Sequence, residues 1–300
     1  MLIPSYHTPV MLEPCLNGLN IKKDGVYLDL TFGGGGHSKA ILGELGPKGR
    51  LFAFDQDLDT IENAETLAKD NRLSFIRSNF RYLKNWVEYY DIEPDGILVD
   101  LGVSSHHLDD GTRGFSFRSD APLDMRMNQK SRLTAAQVVN EYSEEQLTRI
   151  FRLYGEVKEP QRVARAIVKA RENGALQTTG ALSETVGQVL PRDREKKELT
   201  KVFQALRIEV NGEMKALSEM LRGAVEVLKP GGRLVVLSYH SLEDRLVKNI
   251  IRSGNVEKDI FGRAEAPLRA VGKGVSTPDE EEIERNPRSR SAKLRVAERV

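Results

Sequence analysis

The stretch LDLTFGGGGHSKAIL, Leu28–Leu42, sets four consecutive glycines between an apolar run that closes near Asp29 and a segment that reads as helix. Glycine admits positive φ and lets a ligand lie against bare main chain, and a helix starting just beyond offers free N–H groups. In an open parallel sheet such a loop belongs at the carboxyl end of the first strand, where ligands bind at the reversal of strand order. The flanking sequence has the matching rhythm. From Val26 to Leu101 the apolar runs VYLDLT, RLFAFD, LSFIRS and GILVDL alternate with the helix-compatible segments HSKAILGEL, LDTIENAETLAKD and RYLKNWVEYY. Strands alternating with helices imply a parallel sheet with right-handed crossovers.

The rhythm breaks after Gly102. The chain is polar and glycine-rich to about Arg132, and from Leu133 to about Asn211 every periodic stretch is helical, as in EEQLTRIFRLYG, EPQRVARAIVKARENG and ALSETVGQVL. That is too much helix for one crossover, so a helical subdomain is inserted. The α/β pattern resumes with EMKALSEMLRGAVEVL, the turn Lys229–Pro230–Gly231–Gly232, the strand RLVVLSYH and the helix SLEDRLVKNII, and AKLRVAERV reads as a final edge strand. The expected fold class is α/β, a doubly wound sheet in two segments, 1–108 and 209–300, with a helical insertion over 109–208.

The 300 residues are 39% hydrophobic with a net charge of +1, enough for a large core and without the global basic field of a protein that coats nucleic acid. Any nucleic-acid contact must then be local. The single cysteine, Cys15, excludes an internal disulfide and a cysteine-based zinc site. MLIPSYHTPVML lacks a basic leader followed by an apolar core, and no apolar run approaches the ~20 residues of a membrane span. The expectation is a cytoplasmic protein without membrane contact.

Two ligand classes suit the glycine loop. The dinucleotide fingerprint fits Gly33 and Gly35 but meets Ser38 where a third glycine is required. An acid at the strand end followed by spaced glycines, as in S-adenosylmethionine-dependent methyltransferases, fits Asp29, Gly33 and Gly35, with Thr31 in place of one glycine. The acid near the loop can meet the methionine ammonium. Asp55 ends the second strand, where a carboxylate accepts both hydroxyls of an adenosine ribose for either cofactor. Its alternative role is a helix N-cap, which Asp57 can fill instead. Phe80 stands near the adenine or in the core, and the KPGG turn favours the methyltransferase.

The motifs TFGGGGHS, ILVDLGVSS, GFSFRSDAPLDMRM, FQALRIEVNGE, SYHSLEDRLVK and NPRSRSAKLRVAER, in this order from about His7 to Val300, closely resemble the RsmH (MraW) family. Its members are S-adenosylmethionine-dependent methyltransferases of the exocyclic N4 of one cytidine in the decoding region of 16S ribosomal RNA. The resemblance implies a class I (Rossmann-like) methyltransferase sheet with an all-helical insertion for RNA recognition. It also implies S-adenosyl-L-methionine as cofactor, no metal, and 16S rRNA within the small ribosomal subunit as partner, and it leaves monomer or homodimer open. Carried over by position, the cofactor contacts are Gly34, Gly35, Gly36, His37, Asp55, Phe80, Asp100 and His107.

Methyl transfer from a sulfonium is an in-line displacement in which positioning dominates. The cytosine amine is a poor nucleophile, so acceptors that hold its N–H bonds stabilise the charge that develops. Asp100, Asp124 in PLDMRM and His240 in SYHSLED are the candidates for catalysis. Arg162, Arg165 and Lys169 form one basic stripe, and Arg288, Arg290, Lys293 and Arg295 a second cluster, for phosphate contacts. Phe115 and Phe117 can stack a splayed base or pack in a core. The alternatives are a catalytically silent RNA-binding assembly factor and a methyltransferase of another acceptor. His107 stands where the family commonly has glutamine, which puts a protonatable donor in the cofactor site. Cofactor affinity should therefore depend on pH, unless His107 points to solvent; equal affinities on both sides of the imidazole pKa, about 6.5, would remove that dependence.

Overall fold

The computed structural model describes residues 9–102, 111–256 and 266–300. The strands β1 Val26–Asp29, β2 Arg50–Asp55, β3 Leu73–Arg77, β4 Gly96–Asp100, β5 Arg233–Ser238, β6 Leu268–Ala270 and β7 Lys293–Arg299 form one sheet in the order β3-β2-β1-β4-β5-β7-β6. β1 to β5 are mutually parallel, whereas β7 runs antiparallel to both its neighbours. This is the doubly wound sheet expected from the alternating runs. Chain order reverses at β1, whose neighbours are β2 and β4.

Side chains alternate across the sheet with period two. Leu28, Phe52, Ile97, Val99, Leu234 and Val236 enter one core with Leu83 and Val87 of α4 (Leu83–Tyr89), Leu217 and Met220 of α10 (Glu213–Val227), and Val247 and Ile250 of α11 (Ser241–Ser253). Tyr27, Leu51, Leu98, Val235 and Leu237 enter the opposite core with Cys15 and Leu19 of α1 (Leu12–Leu19) and Ile41 and Leu42 of α2 (Gly36–Glu44). Both faces are covered, so the strands read as continuous apolar runs.

The strand over 293–299 is not at the edge. It lies between β5 and the three-residue β6, too short to leave a pattern in the sequence. The KPGG turn serves this arrangement: Gly231 N–H donates to Arg299 O at 2.7 Å and Gly232 N–H to Lys229 O at 2.8 Å. Its Pro and Gly thus answer a need of the sheet.

The chain divides into two compact units, 1–102 with 214–300 and 103–213. The sequence boundaries at 108/109 and 208/209 sit close by, but the second would cut the helix α9, Glu195–Asn211. The helical unit contains α5 Ala135–Glu141, α6 Glu144–Leu153, α7 Pro160–Arg171, α8 Thr179–Gly187 and α9. Their apolar stripes meet in one core that includes Leu147, Phe151, Val163, Ile167, Leu182 and Leu206. Phe115 is 7% exposed and belongs to this core, and Phe117 packs edge-on against Phe203 with ring centroids 5.3 Å apart. Of the two roles open to these rings, Phe115 takes the core one, and Phe117 is half-buried at the edge of the same core. Among the described residues no helix is long and apolar enough to cross a membrane.

On α7 the faces separate as the periodicity requires. Val163, Ala164 and Ile167 are buried, while Arg162 and Arg165 point outward beside Glu159 and Glu144 at 3.1 and 3.4 Å. Exposed pairs at such distances contribute little. Ile167→Ala should therefore cost about 2–5 kcal/mol of stability through the cavity it leaves, and Arg165→Ala less than about 1 kcal/mol. Denaturant unfolding of the two variants checks this, and equal costs would contradict the assignment of faces.

Candidate functional site

β1, β2 and β4 each end in an aspartate, Asp29, Asp55 and Asp100, and adjacent strands thereby bring three carboxylates to one edge of the sheet. Their surroundings differ. Asp29 is 1% exposed, and its oxygens accept the Ser38 hydroxyl at 2.6 Å and Thr31 N–H at 3.1 Å. Burial pushes its carboxyl upward from the usual range, and His37, Ser38 and Thr31 oppose that rise. The acid expected to meet a ligand ammonium is enclosed and instead anchors the glycine loop to α2. Ser38, which spoils the dinucleotide fingerprint, supplies the anchoring hydroxyl.

Gly33 and Gly35 adopt positive φ, +52° and +76°. A Cβ on Gly33 would have no heavy atom closer than 4.0 Å, whereas one on Gly35 would lie 2.8 Å from both Leu67 and Phe32 side chains. Gly36 lies against the Pro9 ring, which leaves its own Cβ no room. Side chains at Gly35 and Gly36 are therefore excluded by the protein itself, and Gly33 opens onto free space. Gly34 is exposed. The first-turn amides of α2, from Gly36 on, lack intrahelical acceptors. His37 itself is buried, with Nε2 3.2 Å from Val10 O and Nδ1 3.9 Å from Asp100 Oδ2.

Asp55 braces two loops: Oδ2 accepts Gly33 N–H at 2.8 Å and Oδ1 accepts Asp57 N–H at 2.9 Å. The capping role falls to Asp57, which accepts Asp59 N–H at 3.2 Å. Phe80 opens a short 3₁₀ turn and packs, half-buried, on the edge of the larger sheet core. Asp100 is reached from three elements. Its N–H donates to Thr31 Oγ1 at 2.7 Å, its Oδ1 accepts the Tyr239 hydroxyl at 2.7 Å, and its side chain remains 24% exposed. Burial pushes its carboxyl up, while His37 and the Tyr239 hydroxyl hold it down. Thr31, the departure from the glycine template, and Tyr239 are contributors that sequence reasoning missed; the broken template was the available signal for Thr31.

His240 follows β5, the neighbour of β4, and caps α11. Its Nδ1 accepts Glu243 N–H at 3.4 Å, and its Nε2 lies 3.1 Å from Glu243 Oε1 without hydrogen-bonding alignment, in a side chain 12% exposed. Asp124 lies in the helical unit instead. Burial alone would raise its carboxyl, but Arg126 donates Nε and Nη2 to its two oxygens at 2.8 and 2.6 Å and holds it below the usual range. His107 falls outside the described residues. The second basic cluster splits: Arg295 and Lys293 are tied to Asp244 at 2.7 and 3.5 Å, while Arg288 and Arg290 are exposed.

The arrangement fits a nucleoside that carries an amino-acid tail. Bare backbone at Gly33, first-turn amides of α2 and two partly open carboxylates on the strands flanking β1 supply acceptors for hydroxyls and an ammonium, and donors for a carboxylate.

The sequence profile of the MraW methylase family matches residues 4–300. A protein of Bacteroides thetaiotaomicron named ribosomal RNA small subunit methyltransferase H is 59% identical over 300 residues, covering 98% of each chain. Its namesake in Bacteroides fragilis is 58% identical and that of Flavobacterium johnsoniae 52%, each again over 98% of both chains. Asp55→Ala should free the Gly33 and Asp57 amides and weaken S-adenosylmethionine binding at least about tenfold, as loss of hydrogen bonds to a charged group implies. Calorimetry reads this directly, and an unchanged affinity would take Asp55 out of the ligand site.

Proposed function

The chain belongs to the MraW methylase family, and on that premise we propose that it methylates the exocyclic N4 of a single cytidine in the decoding region of 16S rRNA, within the small ribosomal subunit. The observation that carries the proposal is the joining of a glycine loop to acidic strand ends at the reversal point of the sheet, in a chain 59% identical to a small-subunit rRNA methyltransferase. S-adenosylmethionine, when bound, supplies an electrophilic methyl group.

Asp55 would hold the ribose hydroxyls, the loop from Gly34 to His37 the amino-acid tail through main-chain amides, and Phe80 the adenine. His107 joins them as a proposed contact on the resemblance alone. Asp100 Oδ2 is the acceptor assigned to the target amine: holding one N–H restores density to the nitrogen lone pair and stabilises the positive charge that grows there. His240 is the group assigned to the proton released. Asp124 remains a weaker candidate, since both its oxygens are engaged by Arg126. The outward Arg162 and Arg165, with Arg288 and Arg290, are proposed phosphate contacts, in which case RNA binding falls steeply as salt rises.

Incubation with S-adenosylmethionine and unmodified small subunits, followed by mass spectrometry of nucleosides against N4- and C5-methylcytidine standards, tests the reading. N4-methylcytidine at one position is expected, with a rate about a hundredfold lower for Asp100→Asn. A different methylated nucleoside would reassign the acceptor, and cofactor binding without any methylation would indicate an assembly factor.

A further inference from the structure

Tyr239 follows β5 directly, and its surroundings fix it on every side. Its N–H donates to the buried Glu243 Oε2 at 2.9 Å. Its ring lies over the turn that ends β4, since a Cβ on Gly102 would be 3.4 Å from Tyr239 Cδ2. Its hydroxyl donates to Asp100 Oδ1 at 2.7 Å. Among the described residues this is the one hydrogen bond drawn to the Asp100 side chain, because His37 Nδ1 stands off at 3.9 Å. The other charged or titratable groups facing Asp100 are Asp29 and His37 from the β1–α2 side, Glu243 from α11 and the buried Cys15 thiol from α1. Two of these are carboxylates, which oppose ionisation of a third.

We propose that Tyr239 is a positioning residue for methyl transfer: its hydroxyl clamps one oxygen of Asp100 and leaves the other to accept from the reacting amine. The inference rests on the function proposed above. A phenol suits the task better than a serine would, because the ring spans the distance from β5 while packing on the β4 turn. It also donates at any physiological pH, since burial and the Asp100 charge push its own ionisation far above the usual tyrosine range. That excludes Tyr239 as a general base and leaves it a donor.

The test is Tyr239→Phe, which removes the oxygen alone. The rate at neutral pH should fall about tenfold, the worth of a hydrogen bond to a charged group, and the acid limb of kcat/KM should move to higher pH, because the lost bond had favoured the charged carboxylate. In an Asp100→Asn background the same change should cost nothing further. An unmoved acid limb, or an equal loss in the Asn background, would overturn the proposal. Should Tyr239→Phe not fold, 3-fluorotyrosine at position 239, a stronger donor, must move the limb to lower pH, and no movement overturns the proposal equally. The Asp100 carboxyl carbon can also be titrated by carbon-13 NMR, where a higher midpoint in Tyr239→Phe supports the clamp and an identical one refutes it. That measurement needs no turnover, so wild-type protein that methylates nothing would defeat the functional reading while the titration still decides this one.

Discussion

Two strands whose crossovers lead in opposite directions must stay together beyond their last ladder bonds if a ligand is to sit between them. Here a hydroxyl does this: Thr31 Oγ1, on the loop after β1, accepts Asp100 N–H at the end of β4. The ladder beside it is closed by Leu30 N–H to Leu98 O at 2.9 Å. Everything at the site depends on that splice. The glycine loop leaves β1 from a fixed point, Ser38 ties the start of α2 back to Asp29, and Asp55 ties the same loop sideways to β2. The three acidic strand ends hold the site together first, and whatever capacity they have for a ligand is what this bracing leaves open.

That division of labour separates the aspartates by accessibility. Asp29 is sealed under the loop and its charge is opposed by burial, so it spends its hydrogen bonds inward. Asp55 and Asp100 keep partial exposure while each is held by main chain or by Tyr239. Asp55 is fixed through both oxygens, by the Gly33 and Asp57 amides, and Asp100 through Oδ1 alone; a carboxylate held this way is preoriented, which lowers what binding must otherwise spend on ordering it.

The parts of the fold that could be read in the sequence share one physical cause. Strands β1, β2, β4 and β5 are covered on both faces, so each carries a continuous apolar run, and α7 separates Val163 and Ile167 from Arg162 and Arg165 at helical period. β6 has three residues and no period, and α12, Glu280–Arg285, is acidic along most of its length, so neither announces itself. Within the site the glycine loop and the strand-end acids were legible because their chemistry is tied to position along the chain. Tyr239 and Thr31 were not, because what makes them matter is a partner brought by the sheet from far away in sequence. Residue type alone left two roles open: Phe115, Phe117 and Arg295 carry groups suited to nucleic acid, and each also has a partner inside the protein. An arginine two residues from an aspartate, as in Asp124 and Arg126, closes a two-point pair before any ligand arrives.

The place of β7 bears on how the sheet is assembled in time. β5 finds its partner on one side in β4, across the whole helical unit, and on the other in β7, the last strand in chain order. During synthesis the chain therefore carries an apolar, unpaired strand edge on β5 until residues 293–299 have emerged, and an exposed edge of that kind invites pairing with other chains. Because β7 enters antiparallel and next to β5, its arrival covers that edge and gives β6 a ladder partner, the only one among the described residues. A nascent chain stalled short of residues 293–299 would leave that β5 edge open, and an open apolar edge is the kind that invites aggregation.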